Sequence, residues 1–487
     1  MVLQLIVSKK WTLCLGDIKG AFLEAGPLQS RCRPLFARQP QGGVPGLDPG
    51  DIIEVTGNVY GSNDAPFNWY QMFSSSVQEH KWIKSQFDSC LFYLRDSTGG
   101  LCGVLAAHVD DTIVAGEGPE FEEAVRKLRA RFPYRKWRIG SGEFCGVQYQ
   151  QCPHSFEITY HQQEYAKHLR PITICKERFR NKDSPATDRE IAALRAVNGA
   201  ANWLCSQSRP DLCTQVSFSQ QCFPEPKVRD LIFANQLVHR ARQYADVSLV
   251  VKHIPWEQLA VCFHSDAGFA NSGATSTQGG FILSFVDKCL DANEPSCWSP
   301  AFWKSQRLPR VVASTLGAEA QVFSQASSLA EWLSLMVTEA KHGSFDLRDI
   351  AKIADQPALQ SKIFSTPIIG ITDCKSLYDH VTSLSSVSKC DDKRVAIDLA
   401  IIKQCLGRTM LSIRWVPTHL QLADAMTKDN IDPSDLIRAA LDIGEYQLND
   451  EASVLAAKKR HREYRNKIRA AQEETEAEIK RQKSIIQ

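Results

Sequence analysis

The stretch "LAAHVDDTIVAG", from Leu105 to Gly116, places two adjacent aspartates inside an otherwise apolar run. Adjacent carboxylates repel each other, and an apolar strand is a costly place to keep them charged. The pair stands where one apolar run gives way to the next, which suggests a tight hairpin whose bend carries Asp110 and Asp111 to one end of a sheet. Such a pair suits a solvated turn. It also suits a divalent-cation site, because a cation reverses the electrostatic penalty.

The surroundings read as an α+β unit. "WTLCLGDI", "SCLFYLR" and "GLCGVLAAHVDDTIVAG" are strand-like, and "DSTGG" between the second and third suits a hairpin loop. In "PEFEEAVRKLRARF", Pro119 suits a first helical turn, and Phe121, Val125, Leu128 and Phe132 recur at helical spacing. From about Tyr165 to Tyr244 the pattern is mostly helical. A fresh strand pattern begins at "LAVCFHSDAGFA", so a second compact domain is expected from near Pro255 to about Lys428. After it, Tyr464, Ile468, Ala471, Thr475 and Ile479 form a thin helical stripe in a charged tail. That stripe reads as a solvated single helix or a coiled coil.

The 487 residues carry a net charge of +2, so a nucleic-acid surface has to be a local patch. One patch stands out. "VRKLRARFPYRKWR" groups Arg126, Lys127, Arg129, Arg131, Arg135, Lys136 and Arg138 with Phe132, Tyr134 and Trp137. Clustered cations displace phosphate counterions, and aromatics stack on bases or pack inward. The other reading is an amphipathic helix with a basic outer face. Sixteen cysteines are scattered without a C-x-x-C pair, which argues against a zinc site or a disulfide framework. With no apolar run of membrane-spanning length, the chain reads as soluble and intracellular, in cytoplasm or nucleus, without a membrane partner.

Beyond these patterns the chain resembles copia-type retrotransposon Pol polyproteins. "HVDD" after an apolar strand resembles the reverse transcriptase signature. "LCLGDIKGAFLEAGPL" resembles that family's "LDVKTAFLNG", with Asp17 as the earlier aspartate. "VYGSNDAPFNWYQMF" resembles its "YGLKQAPRAWY", although Ser62, Asn63, Asp64 and Phe67 replace Leu, Lys, Gln and Arg, and His108 stands where Tyr is usual. "GEFCGVQY" resembles "YFLGIEV", and "LRAVNGAANWLCSQSRPDL" resembles "YRxLVGSLLYLTxTRPDI". Farther on, four acids recur in strand–helix–strand–helix settings: Asp266, Glu319, Asp373 and Asp424. They resemble the D-E-D-D set of ribonuclease H. "WVPTHLQLADAMTK" is similar to "VPTxxQxADIFTK", "STQGGFILSF" to "STSGYVF", and "FWKSQR" to "WxSKKQ".

The resemblance covers roughly residues 12–428 and implies an architecture. An α+β reverse transcriptase palm, an antiparallel sheet with helices, would occupy 1–160, with the fingers missing. A mostly helical thumb or connection would follow at 161–254. An α/β ribonuclease H-like domain with a mixed sheet would span 255–430, and a charged helical tail 431–487. It also implies the chemistry: RNA-directed DNA polymerisation and RNA–DNA hybrid hydrolysis, with two Mg²⁺ ions per active site. Asp17, Asp110 and Asp111 would hold metal in the palm, and Asp266, Glu319, Asp373 and Asp424 in the nuclease. Partners would be an RNA template, a DNA primer, an RNA–DNA hybrid and dNTP. His419, five residues before Asp424, would assist product release or proton transfer, or be a surface-loop residue. The competing expectation is a truncated or domesticated nucleic-acid-binding protein with an inactive polymerase half, with or without residual ribonuclease H activity. No feature of the sequence speaks to oligomeric state.

Overall fold

The computed structural model describes residues 1–25, 34–271, 276–353, 356, 358–383, 390–429 and 431–448. The first unit contains α1 (Val2–Ser8), β1 (Cys14–Ile18), α2 (Ala21–Glu24), a ribbon of β2 (Phe36–Arg38) and β3 (Ile52–Glu54), and α3 (Ala65–Glu79). There follow β4 (Ile83–Lys84), β5 (Leu91–Arg95), β6 (Leu101–His108), β7 (Asp111–Gly116), α4 (Pro119–Arg131) and β8 (Tyr134–Ile139). Six of these strands form one sheet in the order β4-β5-β6-β7-β1-β8. The "DSTGG" loop joins β5 to β6, and Asp96 Oδ1 fixes it by accepting from the Thr98 and Gly100 amides at 2.8 and 2.9 Å.

Each face of this sheet is covered for a reason legible in the side chains. On α3, Trp69, Phe73 and Val77 recur every fourth residue, so they form one buried stripe. Phe132, at the end of α4, meets Trp69 and Phe73 at ring-centroid distances of 5.7 and 5.2 Å. The opposite face, including Leu15, Tyr93, Val104 and Ile113, joins a core that continues through the connection into the second sheet. Burying one such side chain stabilises by about 1.5–3 kcal/mol.

The middle region comprises β9 (Ser141–Phe144), β10 (Val147–Gln151), β11 (Ile158–His161), α5 (Gln163–His168), α6 (Lys176–Arg180), α7 (Asp188–Gln207), α8 (Cys213–Gln220), α9 (Val228–Gln243) and β12 (Leu249–Val251). It is helical between its strands, but β12 returns to pair with β11, completing a four-stranded sheet β12-β11-β10-β9. The boundary expected at 160 therefore falls inside β11, and the one expected at 254 lies just past β12, so one sheet spans both. "SRPDL" is explained by packing. Arg209 binds Asp211 through two 2.8 Å hydrogen bonds and donates to the Ala241 carbonyl at 3.2 Å, with both side chains almost fully buried.

The last unit holds β13 (Leu259–Gly268), β14 (Gln278–Asp287), β15 (Ser296–Arg307), α10 (Thr315–His342), α11 (Ala358–Ile363), β16 (Ile368–Thr372), α12 (Lys375–Thr382), α13 (Lys393–Arg408), β17 (Leu411–Trp415), α14 (Ile431–Ile443) and β18 (Glu445–Tyr446). Its sheet runs β17-β16-β13-β14-β15-β18. β13, β16 and β17 are parallel, while β14 and β15 are antiparallel to their neighbours, the expected mixed sheet. Residues 431–448 differ from the expected charged helical tail. Ile437 and Leu441 are buried, and β18 pairs with β15 through Ser296 and Tyr446. The Tyr464–Ile479 stripe lies outside the described residues.

Helix α10 ties the two outer units together. Near its C-terminal end, Glu339 accepts from the Gln86 amide at 2.7 Å and from the Ser85 hydroxyl, and Arg95 donates to the Glu339 carbonyl at 2.9 Å. Phe87 packs edge-on against Trp332 at 5.0 Å. Among the described residues no helix is long and apolar enough to cross a membrane.

Candidate functional sites

Both carboxylate sets sit at strand ends. In the first unit, register pairs Asp17 on β1 with Asp111 on β7, and His108 with Asp111 closes the β6–β7 hairpin. The two-residue turn is Val109–Asp110, with Val109 at φ +56°, a conformation that a β-branched residue adopts only under constraint. The constraint is visible. Trp69 Nε1 donates to the Val109 carbonyl at 2.7 Å, and the Ile18 amide donates to the Asp110 carbonyl at 2.8 Å. The tryptophan of the "APFNWY" motif thus props the turn that presents the aspartates. Gly16, before Asp17, is required by crowding: a Cβ there would stand 2.4 Å from the Tyr134 ring and 2.6 Å from Thr112 Oγ1.

The three acids line a cleft of about 320 Å³ together with Arg135, Lys136 and Arg138. Asp17 Oδ2 accepts from Arg135 Nε at 3.1 Å and Nη2 at 2.5 Å. Asp111 accepts from the Cys145 amide at 3.0 Å, and burial, with the neighbouring charges of Asp110 and Asp17, pushes its carboxyl up. Burial first, then the charges of Asp111 and Asp110, push the Cys145 thiol up to about 12. The seven-residue basic stretch is divided by the fold. Arg126 and Lys127 pair with Glu123 on α4 at 2.7 and 3.4 Å, while Arg129 and Arg131 lie over Trp137 and Phe132 at 5.1 and 5.0 Å. Only the β8 members reach the carboxylate cleft.

The second constellation is tighter. Parallel register pairs His264 on β13 with Ile371 on β16, so Asp266 and Asp373, each two residues farther on, extend from neighbouring strands toward the same end. Glu319 comes from the first turns of α10, whose N-cap Ser314 accepts from the Gly317 amide at 3.1 Å. Asp424 lies in the 3-10 turn Leu422–Met426. Buried Gln421 fastens that turn to β13. Its Nε2 donates to the Ser265 carbonyl at 3.0 Å, its Oε1 accepts from the Ala423 amide at 3.3 Å, and His264 Nδ1 lies 3.0 Å from Oε1. Gly280 lets the turn close, since a Cβ would stand 2.2 Å from Met426 Cβ. From the connection, Thr214 donates to the Ala425 carbonyl at 2.7 Å.

Carboxylate oxygens of Asp266, Asp373 and Asp424 lie within 4.8 Å of one another, the one such grouping of potential ligands among the described residues; the palm acids do not form one. Glu319 Oε1 accepts from the Ala267 amide at 3.3 Å, while its buried Oε2 has no hydrogen-bond partner. Burial first, then the Asp266 and Asp373 charges, push Glu319 well above the carboxylate range. Burial and the Asp266 charge likewise push Asp424 up to about 7, and Asp266 is raised mainly by burial. An all-oxygen donor set with an orphaned carboxylate oxygen fits a hard divalent cation such as Mg²⁺.

Two members of this site escaped the sequence reading. Thr427 donates its hydroxyl to Asp266 Oδ2, and Lys428 Nζ sits 2.7 Å from Asp424 Oδ1 and 3.7 Å from Asp266 Oδ2. Their signal was the helical spacing of "DAMTK", which returns Lys428 to Asp424 after one turn. His419 is exposed on the 3-10 turn Thr418–Leu420, outside the carboxylate grouping.

Residues 1–172 match the family described as reverse transcriptase (RNA-dependent DNA polymerase). The chain is 21% identical over 308 residues to a putative transposon Ty5-1 protein of Saccharomyces cerevisiae, covering 61% of this chain and 94% of that protein. It is 22% identical over 441 residues to the retrovirus-related Pol polyprotein from transposon RE1 of Arabidopsis thaliana, covering 88% of this chain and 27% of the polyprotein. Similar solved structures include the foamy viral protease–reverse transcriptase with RNA/DNA hybrid, at 11% identity and a TM-score of 0.42, covering 84% of this chain and 44% of that one. Another is RNase H1 of Halobacterium salinarum, at 13% identity and a TM-score of 0.22, covering 35% of this chain and 93% of that one.

Proposed function

We propose that this chain, a relative of the copia-type retrotransposon Pol polyproteins, hydrolyses the RNA strand of RNA–DNA hybrids and carries a palm for RNA-directed DNA synthesis. The observation that carries the nuclease reading is the meeting of Asp266, Asp373 and Asp424 oxygens within 4.8 Å beside the orphaned Glu319 Oε2. These four acids would hold divalent metal, two Mg²⁺ ions in the two-metal scheme, which supply an activated water and charge stabilisation for the departing 3′ oxygen. The chain's own part is positional. Gln421 fixes the Asp424 turn on β13, Thr427 orients Asp266, and the register of β13 and β16 sets the Asp266–Asp373 spacing.

In the palm, Asp17, Asp110 and Asp111 would hold metal, with Arg135, Lys136 and Arg138 facing template, primer or the dNTP phosphates across the cleft. Two observations favour a second reading for this half, nucleic-acid binding without turnover: Arg135 is paired to Asp17, and the "YGSNDAPFNWY" motif has lost two basic residues relative to the family it resembles. An intracellular setting, cytoplasm or nucleus, goes with both readings.

The test offers purified protein with Mg²⁺ a labelled RNA–DNA hybrid and, separately, a primed RNA template with dNTPs. Hybrid cleavage abolished by Asp266→Asn supports the nuclease. Absence of extension at every enzyme concentration refutes the polymerase and leaves the binding reading for that half. Hybrid retained on a filter without cleavage would overturn the nuclease.

A further inference from the structure

We infer that Thr214 and Gln215 on α8 are positioning residues for Asp424, so that the proposed nuclease site is completed from the middle region and not by its own sheet alone. This rests on the hybrid-hydrolysis reading above and deepens it, because it names what holds the fourth acid in place.

The turn that carries Asp424 cannot hold itself. It is the five-residue 3-10 turn Leu422–Met426, and so short a turn leaves its last carbonyls without partners of its own. Electrostatics also work against it, since oxygens of Asp424, Asp266 and Asp373 come within 4.8 Å and like charges at that range repel. Three successive carbonyls are instead taken by side chains from three separate elements. Thr214 on α8 donates to Ala425 at 2.7 Å, Ser305 on β15 to Met426 at 2.5 Å, and Asn271, beyond β13, to Thr427 at 2.9 Å. Ser305 and Asn271 belong to the last unit, whereas Thr214 reaches in from the middle region.

The hold from the middle region is doubled. Gln215 Nε2 donates to Asp429 Oδ1 at 2.7 Å, and Arg240 of α9 stands 3.4 Å from the same oxygen, so the turn is gripped at Ala425 and again at Asp429. The start of α8 is itself fixed. Cys213 to Val216 are buried, and the buried Arg209–Asp211 pair stands immediately before them. Gln278 of β14 donates to Ser217 at 2.8 Å and to Ser305 at 2.7 Å, which locks α8 to the strand that supplies the neighbouring grip. Thr214 and Ala425 are both almost fully buried, so a lost hydroxyl would leave that carbonyl unpaired.

Asp424 thus lies between two holds. Gln421 fixes the entry of its turn on β13, and the α8 contacts fix the exit. A shift of α8 against the sheet would move this carboxylate while Asp266 and Asp373, set by the register of β13 and β16, stayed where they are. Misplacing a functional group by about 1 Å costs up to about a hundredfold in rate.

The test compares the full chain with T214V, which keeps the side chain's shape without its hydroxyl, and with T214S, which restores the hydroxyl. In metal-free protein, hydrogen exchange of the Thr427 and Lys428 amides, both bonded to the Asp424 carbonyl, should be at least about fivefold faster in T214V, with the β13 amides unchanged. With Mg²⁺ and labelled RNA–DNA hybrid, kcat should fall at least about tenfold while KM for the hybrid stays within about twofold. T214S should match the parent in both measurements. Q215A, which releases only the Asp429 contact, should move both the same way by less; if T214V does not fold, a Q215A protein indistinguishable from the parent overturns the proposal. Unchanged exchange in T214V, or faster exchange at an unchanged kcat, would overturn the positioning role. A parent that cleaves no hybrid would instead overturn the nuclease reading beneath it.

Discussion

The raised carboxyl of Asp424 makes the apo protein's stability fall as pH rises, and Asp424→Asn should remove that fall. Asp424 is held at about 7 against an ordinary carboxyl value of 3.8, by burial and by the Asp266 charge. The folded chain therefore binds more protons than the unfolded chain between those values. Its contribution is complete below about pH 4, is lost as pH rises, and is gone above about pH 7. A displacement of this size corresponds to about 4 kcal/mol at 1.36 kcal/mol per pH unit, more than half of it lost between pH 5 and pH 8. The assay is thermal unfolding of the parent and D424N in chelator across pH 4 to 8. D424N should melt higher than the parent at pH 8, with the gap closing toward pH 4. Saturating Mg²⁺ at pH 8 should raise the parent's midpoint, by about 2.7 kcal/mol of stabilisation at a hundredfold excess over Kd, and raise that of D424N far less. A parent that melts no lower than D424N at pH 8 in chelator would refute the reasoning, because the carboxylate cluster would then carry no repulsion for a metal to relieve.

Three further outcomes are expected. D211A leaves Arg209 buried without its bidentate partner and should destabilise by about 3–5 kcal/mol, whereas the charge-free double variant R209M/D211L should cost less than the single change, measured by chemical denaturation. Q421A strips hydrogen-bond partners from Ser265 and Ala423 and should cut hybrid cleavage more than about tenfold while filter retention of hybrid holds. W69F removes the donor to the Val109 carbonyl at a cost of about 1 kcal/mol, and should weaken Mn²⁺ binding by the palm in a D266N background while leaving hybrid cleavage by the otherwise unaltered chain as it was.

Local chemistry made much of this protein legible in advance. The "DSTGG" hairpin, the tight bend carrying Asp110 and Asp111, which turns at Val109–Asp110, and the helix opening at Pro119 were visible because each depends on residues within a few positions of one another. The four acids of the proposed nuclease site were visible from their strand and helix settings; the register of β13 and β16 brings Asp266 and Asp373 together, and the turn that Gln421 fastens to β13 adds Asp424. The palm acids share strand ends and a cleft without closing to the same spacing. The basic stretch, uniform as a string, is divided because α4 spends two of its cations on Glu123 and two over aromatic rings, while the turn into β8 swings the rest to the acids.

By itself the sequence determined the strands, hairpin and helix around the first acids, the resemblance to copia-type Pol proteins and which carboxylates to watch. Only the tertiary structure decided that β12 returns to β11, that α14 and β18 fold back onto the second sheet, and that Arg135 and Lys428 stand against Asp17 and Asp424. The physical reason is range. Turn chemistry and periodicity act over a few residues and are written locally, whereas strand pairing across some ninety residues and the choice of counter-ion for a buried acid depend on which surfaces the whole chain brings together.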